Sequence, residues 1–112
     1  MRALITLTPR MYREAIARSL SQHRPGIEVR IAPPEDVEEE LAGFRPHLLV
    51  HDDTAPIPEG ALQGVPCRVE MLYSDSMDAR VMADGMVSRM RDMSTEDLLR
   101  TVAVAAALEG PG

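Results

Sequence analysis

Residues 44–52 read FRPHLLVHD, and this stretch decides the fold. Three apolar residues stand in succession at Leu48, Leu49 and Val50. Continuous hydrophobicity without polar alternation is typical of a strand that is buried on both faces of a parallel sheet. We therefore predict that residues 46–51 form the central strand of such a sheet.

Shorter apolar runs alternate with amphipathic stretches on both sides of this strand. Further strands are predicted at residues 3–7, 27–32, 68–73 and 86–90. Helices are predicted to begin at Thr8-Pro9, near Pro33, at Ser74 or Ser76 and at Ser94. The first helix is expected to bury one stripe, made of Met11, Tyr12, Ala15, Ile16 and Leu20.

Alternating strands and helices with short connections indicate an α/β fold, in which helices cover both faces of a parallel sheet. We predict one domain over residues 1–108 and a C-terminal tail at residues 109–112. Residues 52–66 contain three prolines and two glycines, so the third helix is expected to be short or missing.

Composition excludes several classes of function. The chain has 112 residues and a formal net charge of -6, and all 12 of its basic residues are arginines. The absence of lysine excludes phosphate-loop NTPases and enzymes that form a Schiff base. An acidic chain without a clustered basic face also argues against direct contact with nucleic acid or an anionic membrane.

The sequence also bears on where the protein is located. Cys67 is the only cysteine, so no internal disulfide can form. No charged-then-apolar signal peptide opens the chain, and no apolar run approaches the roughly 20 residues that a membrane helix needs. We expect a cytoplasmic protein without a membrane span.

Five segments resemble, in order and spacing, the receiver domain of bacterial two-component response regulators. Residues 13–20 look like the first helix of that family, and residues 44–52 look like the strand that ends in its phosphoacceptor aspartate. Pro56 matches the loop after that aspartate, residues 73–74 match the end of the fourth strand, and residues 91–99 match the start of the last helix. The resemblance covers nearly the whole chain.

This resemblance implies a flavodoxin-like (receiver) fold, whose five parallel strands follow the order 2-1-3-4-5 with helices on both faces. It implies a role in two-component, or phosphorelay, signal transduction. The partner would be a sensor kinase, an output domain or another regulator. Asp52 takes the position of the phosphoacceptor, and the domain itself is expected not to be an enzyme.

The carboxylates that hold Mg²⁺ in receiver domains are missing. The resemblance places Leu7 and Thr8 at the positions of the family's acidic pair. A leucine cannot bind a cation, and a threonine offers one neutral oxygen. Asp52 and Asp53 are the carboxylates that remain, so we expect no cofactor, at most weak Mg²⁺ binding and no other metal.

Two further positions depart from the family. Arg91 aligns with its conserved lysine, and an arginine keeps the charge but presents a planar fork instead of a compact ammonium group. Ser88 aligns with the switch aromatic, whereas the hydroxyl at Ser74 is kept. We expect an ion pair between Arg91 and Asp52 that holds the domain in one state.

Six of the eight methionines fall between residues 71 and 93. Methionine fills gaps in cores and is also frequent on adaptable binding surfaces, so both interpretations stay open. The resemblance implies a homodimer through the fourth helix, the fifth strand and the fifth helix. The candidate residues of this partner surface are Met82, Met86, Met90, Leu99 and Val102.

Together, these features predict a degenerate receiver that acts by protein contact, without the usual Mg-dependent phosphorylation. One alternative is a functional receiver that is phosphorylated on Asp52. Another alternative is an enzyme or a small-ligand binder, with its site in the crevice at the carboxyl ends of the strands. The absence of a glycine-rich phosphate turn after the first strand argues against this last class.

Overall fold

The computed structural model describes residues 1–54, 57–73, 78–83, 85–91 and 94–109, apart from the side chains of residues 95 and 104–109. Pro56, Ser74 and residues 110–112 of the predicted tail lie outside the described residues.

Strands and helices alternate over the first two thirds of the chain. The strands are β1 (Arg2–Ile5), β2 (Glu28–Ile31), β3 (Leu48–Asp52), β4 (Cys67–Leu72), β5 (Asp78–Ala83) and β6 (Met86–Met90). The helices are α1 (Arg10–His23), α2 (Val37–Phe44), α3 (Glu59–Leu62) and α4 (Thr95–Glu109), and a 3₁₀ turn at Pro34–Asp36 precedes α2. Within the described ranges, none of these helices has both the length and the apolar character that crossing a membrane requires.

The strands form one mixed sheet in the order β2-β1-β3-β4-β5-β6. Strands β1 to β4 are parallel to one another, as predicted. Strand β5 is antiparallel to both β4 and β6, so β6 runs in the direction of β4. The fold is therefore α/β as predicted, but the prediction of five parallel strands is wrong because a sixth, antiparallel strand is inserted.

This inserted strand replaces a predicted helix. Residues 78–83 read DARVMA, in which polar and apolar side chains largely alternate with the period of a strand. Gly85 has a φ of 75° in the turn between β5 and β6, a conformation that glycine adopts without strain. The helix predicted from Ser74 or Ser76 is therefore wrong over residues 78–83, because the strand period and the glycine turn outweigh the serine caps.

Strand β3 is central, and all five of its residues are buried. Leu48 and Val50 belong to an apolar cluster that includes residues of α1 and α4. Leu49 belongs to a second cluster with residues of α2. The predicted central strand is therefore confirmed, and its unbroken hydrophobicity is explained by one cluster on each face.

The buried side of α1 differs from the predicted stripe. Arg13 and Leu20 are buried on this helix. Met11 is 71% exposed, Tyr12 is 45% exposed and Ala15 is also exposed, so the stripe is wrong at these three positions. The buried guanidinium of Arg13 donates a hydrogen bond from Nη1 to the carbonyl oxygen of Leu7 at 3.1 Å. An arginine with a backbone acceptor therefore takes an inward position that the apolar pattern assigned to other residues.

The sheet face on the side of α2 and α3 is covered only in part, since α3 has four residues. This confirms the expectation of a short third helix. Side chains of β4, β5 and β6 form two cross-strand rows on the uncovered part, which we call the open face. The first row is Arg68, Met82 and Val87, and the second is Glu70, Arg80 and Arg89.

Candidate functional site

Asp52 ends β3 at the carboxyl edge of the sheet and is 3% exposed. Its Oδ2 accepts hydrogen bonds from the backbone N–H of Thr8 at 2.7 Å and from the Thr8 hydroxyl at 2.8 Å. Its Oδ1 accepts hydrogen bonds from the backbone N–H of Thr54 at 2.9 Å and from the Thr54 hydroxyl. Both carboxylate oxygens are therefore engaged twice, and we call this arrangement the Asp52 clasp.

The clasp favours the ionised form of the carboxyl group. Burial raises the pKa of Asp52, but the hydrogen bonds from Thr54 and Thr8 outweigh this effect, so the pKa lies below its ordinary value of 3.8. Donors that stabilise the negative charge also reduce its tendency to attack an electrophile. Asp52 is therefore a buried structural anion, whose charge is stabilised by hydrogen bonds from the protein instead of by water.

Local sequence explains one half of the clasp and long-range pairing explains the other. Thr54 follows Asp52 by two residues, the spacing at which an aspartate side chain bonds the backbone in a turn. Thr8 reaches the same carboxylate because the N–H of Thr6 donates to the carbonyl of Val50 at 2.8 Å, which extends the pairing of β1 and β3. The predicted helix cap at Thr8 is wrong, since Pro9 is the N-cap of α1.

The two positions of the missing acidic pair differ in their surroundings. Leu7 is 4% exposed and belongs to the apolar cluster with Leu20, so its side chain packs in the core. Thr8 places its hydroxyl on Asp52. The structure thus brings Thr8 and Asp52 together and places the side chain of Leu7 among core residues.

Asp53 lies next to the clasp and fastens it to β4. Its Oδ1 accepts a hydrogen bond from the N–H of Tyr73 at 3.0 Å, and its own N–H donates to the carbonyl of Met71 at 3.1 Å. Burial, together with the charge of Asp52, raises the pKa of the Tyr73 phenol to about 12. Among the described residues, no group of three or more His, Cys, Asp or Glu side chains is placed to hold a metal ion.

Arg91 and Ser88 lie apart from the clasp. Ser88 is on β6 and Arg91 follows it, and both are exposed. The inserted β5 puts β6 three strand spacings from β3, about 14 Å, instead of the two spacings that the predicted order implies. Among the described residues, no ion pair joins Arg91 to Asp52. The expectation of such a pair is therefore wrong.

The residues of the predicted partner surface are distributed over β5, β6 and α4. Met86 is 73% exposed, whereas Val102 is fully buried in the core. Met82, Met90 and Leu99 are half-buried. The helix that was to form part of this surface is absent from the described residues 78–83, because they form β5.

A second polar group, formed by His51 and Thr6, lies beside the clasp, and the sequence analysis did not identify Thr6. His51 is 4% exposed and Thr6 is 2% exposed, and the His51 Nε2 and the Thr6 Oγ1 accept or donate no hydrogen bond within the described residues. Both side chains line one cavity of about 10 Å³, together with Pro34, Val37, Asp52 and Ile57. A cavity of this volume can hold about one water molecule, which would bridge two such polar atoms.

The buried imidazole makes stability depend on pH. Burial lowers the pKa of His51 below its ordinary value of 6.5, although the nearby Glu70 opposes this shift. Between the folded and unfolded pKa values the unfolded chain binds more protons, so the free energy of unfolding should fall as the pH drops below about 6.5. Urea unfolding at pH 7.5 and at stepwise lower pH measures this loss.

A matched pair of variants assigns the effect. His51→Gln should remove the dependence of stability on pH in this range, whereas His23→Gln, an exposed position on α1, should keep it. If His51→Gln lost stability with falling pH as much as the wild type does, the pH dependence could not be assigned to His51.

No model of a known protein family matches the chain, and no curated protein matches it significantly. The resemblance to receiver domains therefore stays a prediction that depends on the segments quoted above.

Proposed function

We propose that the protein is a receiver-like signalling domain of the response-regulator type, which acts through protein contact without the usual Mg-dependent phosphorylation. The Asp52 clasp is the observation that carries this proposal. The aspartate at the carboxyl end of the central strand takes the family's phosphoacceptor position, yet both of its oxygens are held by Thr8 and Thr54.

The energetics of the clasp oppose phosphoryl transfer. An attacking oxygen of Asp52 would have to give up two of its hydrogen bonds, each worth about 1.5–3 kcal/mol when the acceptor is charged. No carboxylate stands at position 7 or 8 to help hold a cation that would offset this loss. The hydrogen bonds to Asp52 and the missing carboxylates at positions 7 and 8 therefore both oppose transfer of a phosphoryl group to Asp52.

The sheet supports the family relationship in part. Strands β1 to β4 are parallel and follow the order 2-1-3-4, and β6 runs in the same direction as β4. If β5 is treated as an insertion that replaces the fourth helix, the other five strands have the relative order and directions that the proposal requires, although β6 lies one strand spacing further out. The insertion separates Arg91 and Ser88 from Asp52, which removes the usual connection between a phosphoryl group and the far edge of the sheet.

Contact through β6 fits a domain that signals in this way. Strand β6 is at the edge of the sheet, and an edge strand offers unpaired backbone groups to another chain. Met86, Ser88 and Met90 share one face of β6 and carry no charge. We expect a homodimer in which this face of β6 and the half-buried Leu99 of α4 are covered, and sedimentation equilibrium over a range of concentrations measures it.

A phosphodonor experiment tests the proposal. After incubation with acetyl phosphate and MgCl₂, the intact mass of the protein should be unchanged, because Asp52 is engaged and the cation site lacks its acidic pair. A receiver domain with an intact acidic pair is treated in parallel, and its phosphorylation shows that the acetyl phosphate is active. Addition of one phosphoryl mass that Asp52→Asn abolishes would overturn the proposal in favour of a functional phosphorylated receiver.

A further inference from the structure

A groove of about 360 Å³ lies on the open face, between residues 62–66 and the turn that joins β5 to β6. It is at the amino-terminal edge of β4 and β6, opposite the edge that holds Asp52. Its volume falls within the range of about 300–1,000 Å³ that is typical of small-molecule sites. No feature of the proposed signalling function requires a groove here.

The groove exists because the covering helix is short. Residues Leu62 and Val65 pack against the apolar cluster under α2, so α3 and the loop after it stay on that side of the sheet. The rest of the open face is left without a helix above it. Gly64 and Gly85, both with positive φ, form the two rims, where the backbone approaches the groove without side chains.

Arg68, Met82 and Val87 form the floor of the groove as direct neighbours across β4, β5 and β6. Val87 is 64% exposed and Met82 is half-buried, so the floor presents apolar surface to solvent. Arg68 is half-buried, and its Nη2 lies 2.8 Å from the Sδ of Met82. A thioether sulfur is a weak acceptor, so the guanidinium keeps most of its donor capacity.

The carboxylates that the structure describes on the open face are paired with arginines other than Arg68. In the neighbouring row, Glu70 is paired with Arg80 at 3.7 Å. Asp78, one row further along β5, is paired with Arg89 at 3.1 Å. Arg68 itself forms no ion pair with any residue that the structure describes. A half-buried cation beside the apolar side chains of Met82 and Val87 is therefore available to a bound anion.

We propose that this groove binds a small amphiphilic carboxylate. The carboxylate accepts two parallel hydrogen bonds from the guanidinium of Arg68, the geometry that arginine offers best. The aliphatic part lies along Val65, Met82 and Val87, where it removes exposed apolar surface from water. Both halves of the ligand are required, because the cation alone is partly hydrated and the apolar floor alone is shallow.

Titration of ¹⁵N-labelled protein with octanoate, kept below its micelle-forming concentration, tests this inference. Saturable shifts are expected for the amides of Val65, Arg68, Met82 and Val87. Acetate has the carboxylate without the chain and octanol has the chain without the charge, so both should bind at least about tenfold more weakly. No saturable shift, or shifts confined to the Asp52 edge, would overturn the proposal.

Variants separate the site from a general surface effect. Arg68→Gln should weaken octanoate binding about tenfold or more, because it removes the charge-assisted hydrogen bonds. Arg18→Gln, at an exposed position on α1 outside the groove lining, removes the same charge and should leave binding unchanged. Val87→Ser changes an exposed position and should weaken octanoate but not acetate. Equal binding by wild type and Arg68→Gln would contradict the site, whatever the phosphodonor experiment shows.

Discussion

Replacing Asp52 with alanine should lower the free energy of unfolding by about 2–4 kcal/mol. The substitution removes the acceptor of four hydrogen bonds at a position that is 3% exposed. It leaves the backbone N–H of the half-buried Thr8 without its partner, and an unsatisfied buried donor costs about 1–3 kcal/mol, whereas Thr54 is exposed and its N–H can bond to water. Urea unfolding followed by circular dichroism measures the change.

Two further variants separate the clasp from the loss of a charge. Asp52→Asn keeps one carbonyl acceptor, so it should lose about half as much stability as Asp52→Ala. Glu39→Ala removes an exposed carboxylate on α2 and should change stability by no more than about 0.5 kcal/mol. If Asp52→Ala were as stable as the wild type, the carboxylate would be free for other chemistry and the main argument against phosphorylation would fail.

The sequence predicted those parts of the fold that depend on local pattern. The central strand was identified from Leu48, Leu49 and Val50, because a short run without polar residues is typical of a strand that is buried on both faces. The alternation in residues 78–83 was also present in the sequence. We predicted a helix there because Ser74 or Ser76 can cap one, so a possible helix start took precedence over the strand period of the residues that follow.

The candidate site was only half predictable for a different reason. Asp52 was predicted from residues 44–52 alone, and the absence of acidic residues at positions 7 and 8 is visible in the first apolar run alone. The bond from Thr8 to Asp52 joins residues 44 positions apart, and it depends on the register of β1 against β3. No local pattern distinguishes a threonine that caps its own helix from one that binds a distant carboxylate.

The position of Arg91 shows how one additional strand separates two residues that were expected to share a site. The residue has the charge that the resemblance requires and follows the strand that the resemblance names. Only the position of β5 between β4 and β6 moves it away from Asp52. The order of strands in a sheet is a long-range property, whereas every argument that placed Arg91 in the pocket used sequence order.

Replacing Val102 with aspartate should destabilise the folded domain by more than about 4 kcal/mol. Val102 is 0% exposed and packs in the cluster that includes Leu98 and Leu20, so the new carboxylate would be buried without a partner. A loss of this size is a large part of the roughly 5–15 kcal/mol that stabilises a typical domain. Thermal and urea unfolding measure it, and the neighbouring exposed position provides the control, since Ala103→Asp should change stability by about 0.5 kcal/mol or less.

The same experiment decides which residues of α4 and β6 can contact a partner. In the predicted partner surface Val102 and Met86 were equivalent, and an aspartate at either would only have blocked association. The structure makes them different, because Met86 is 73% exposed and Val102 is buried. Met86→Asp should therefore keep the unfolding free energy within about 0.5 kcal/mol and lower only the self-association constant. A folded, monomeric Val102→Asp would instead return that residue to the surface and contradict the packing of α4 against the sheet.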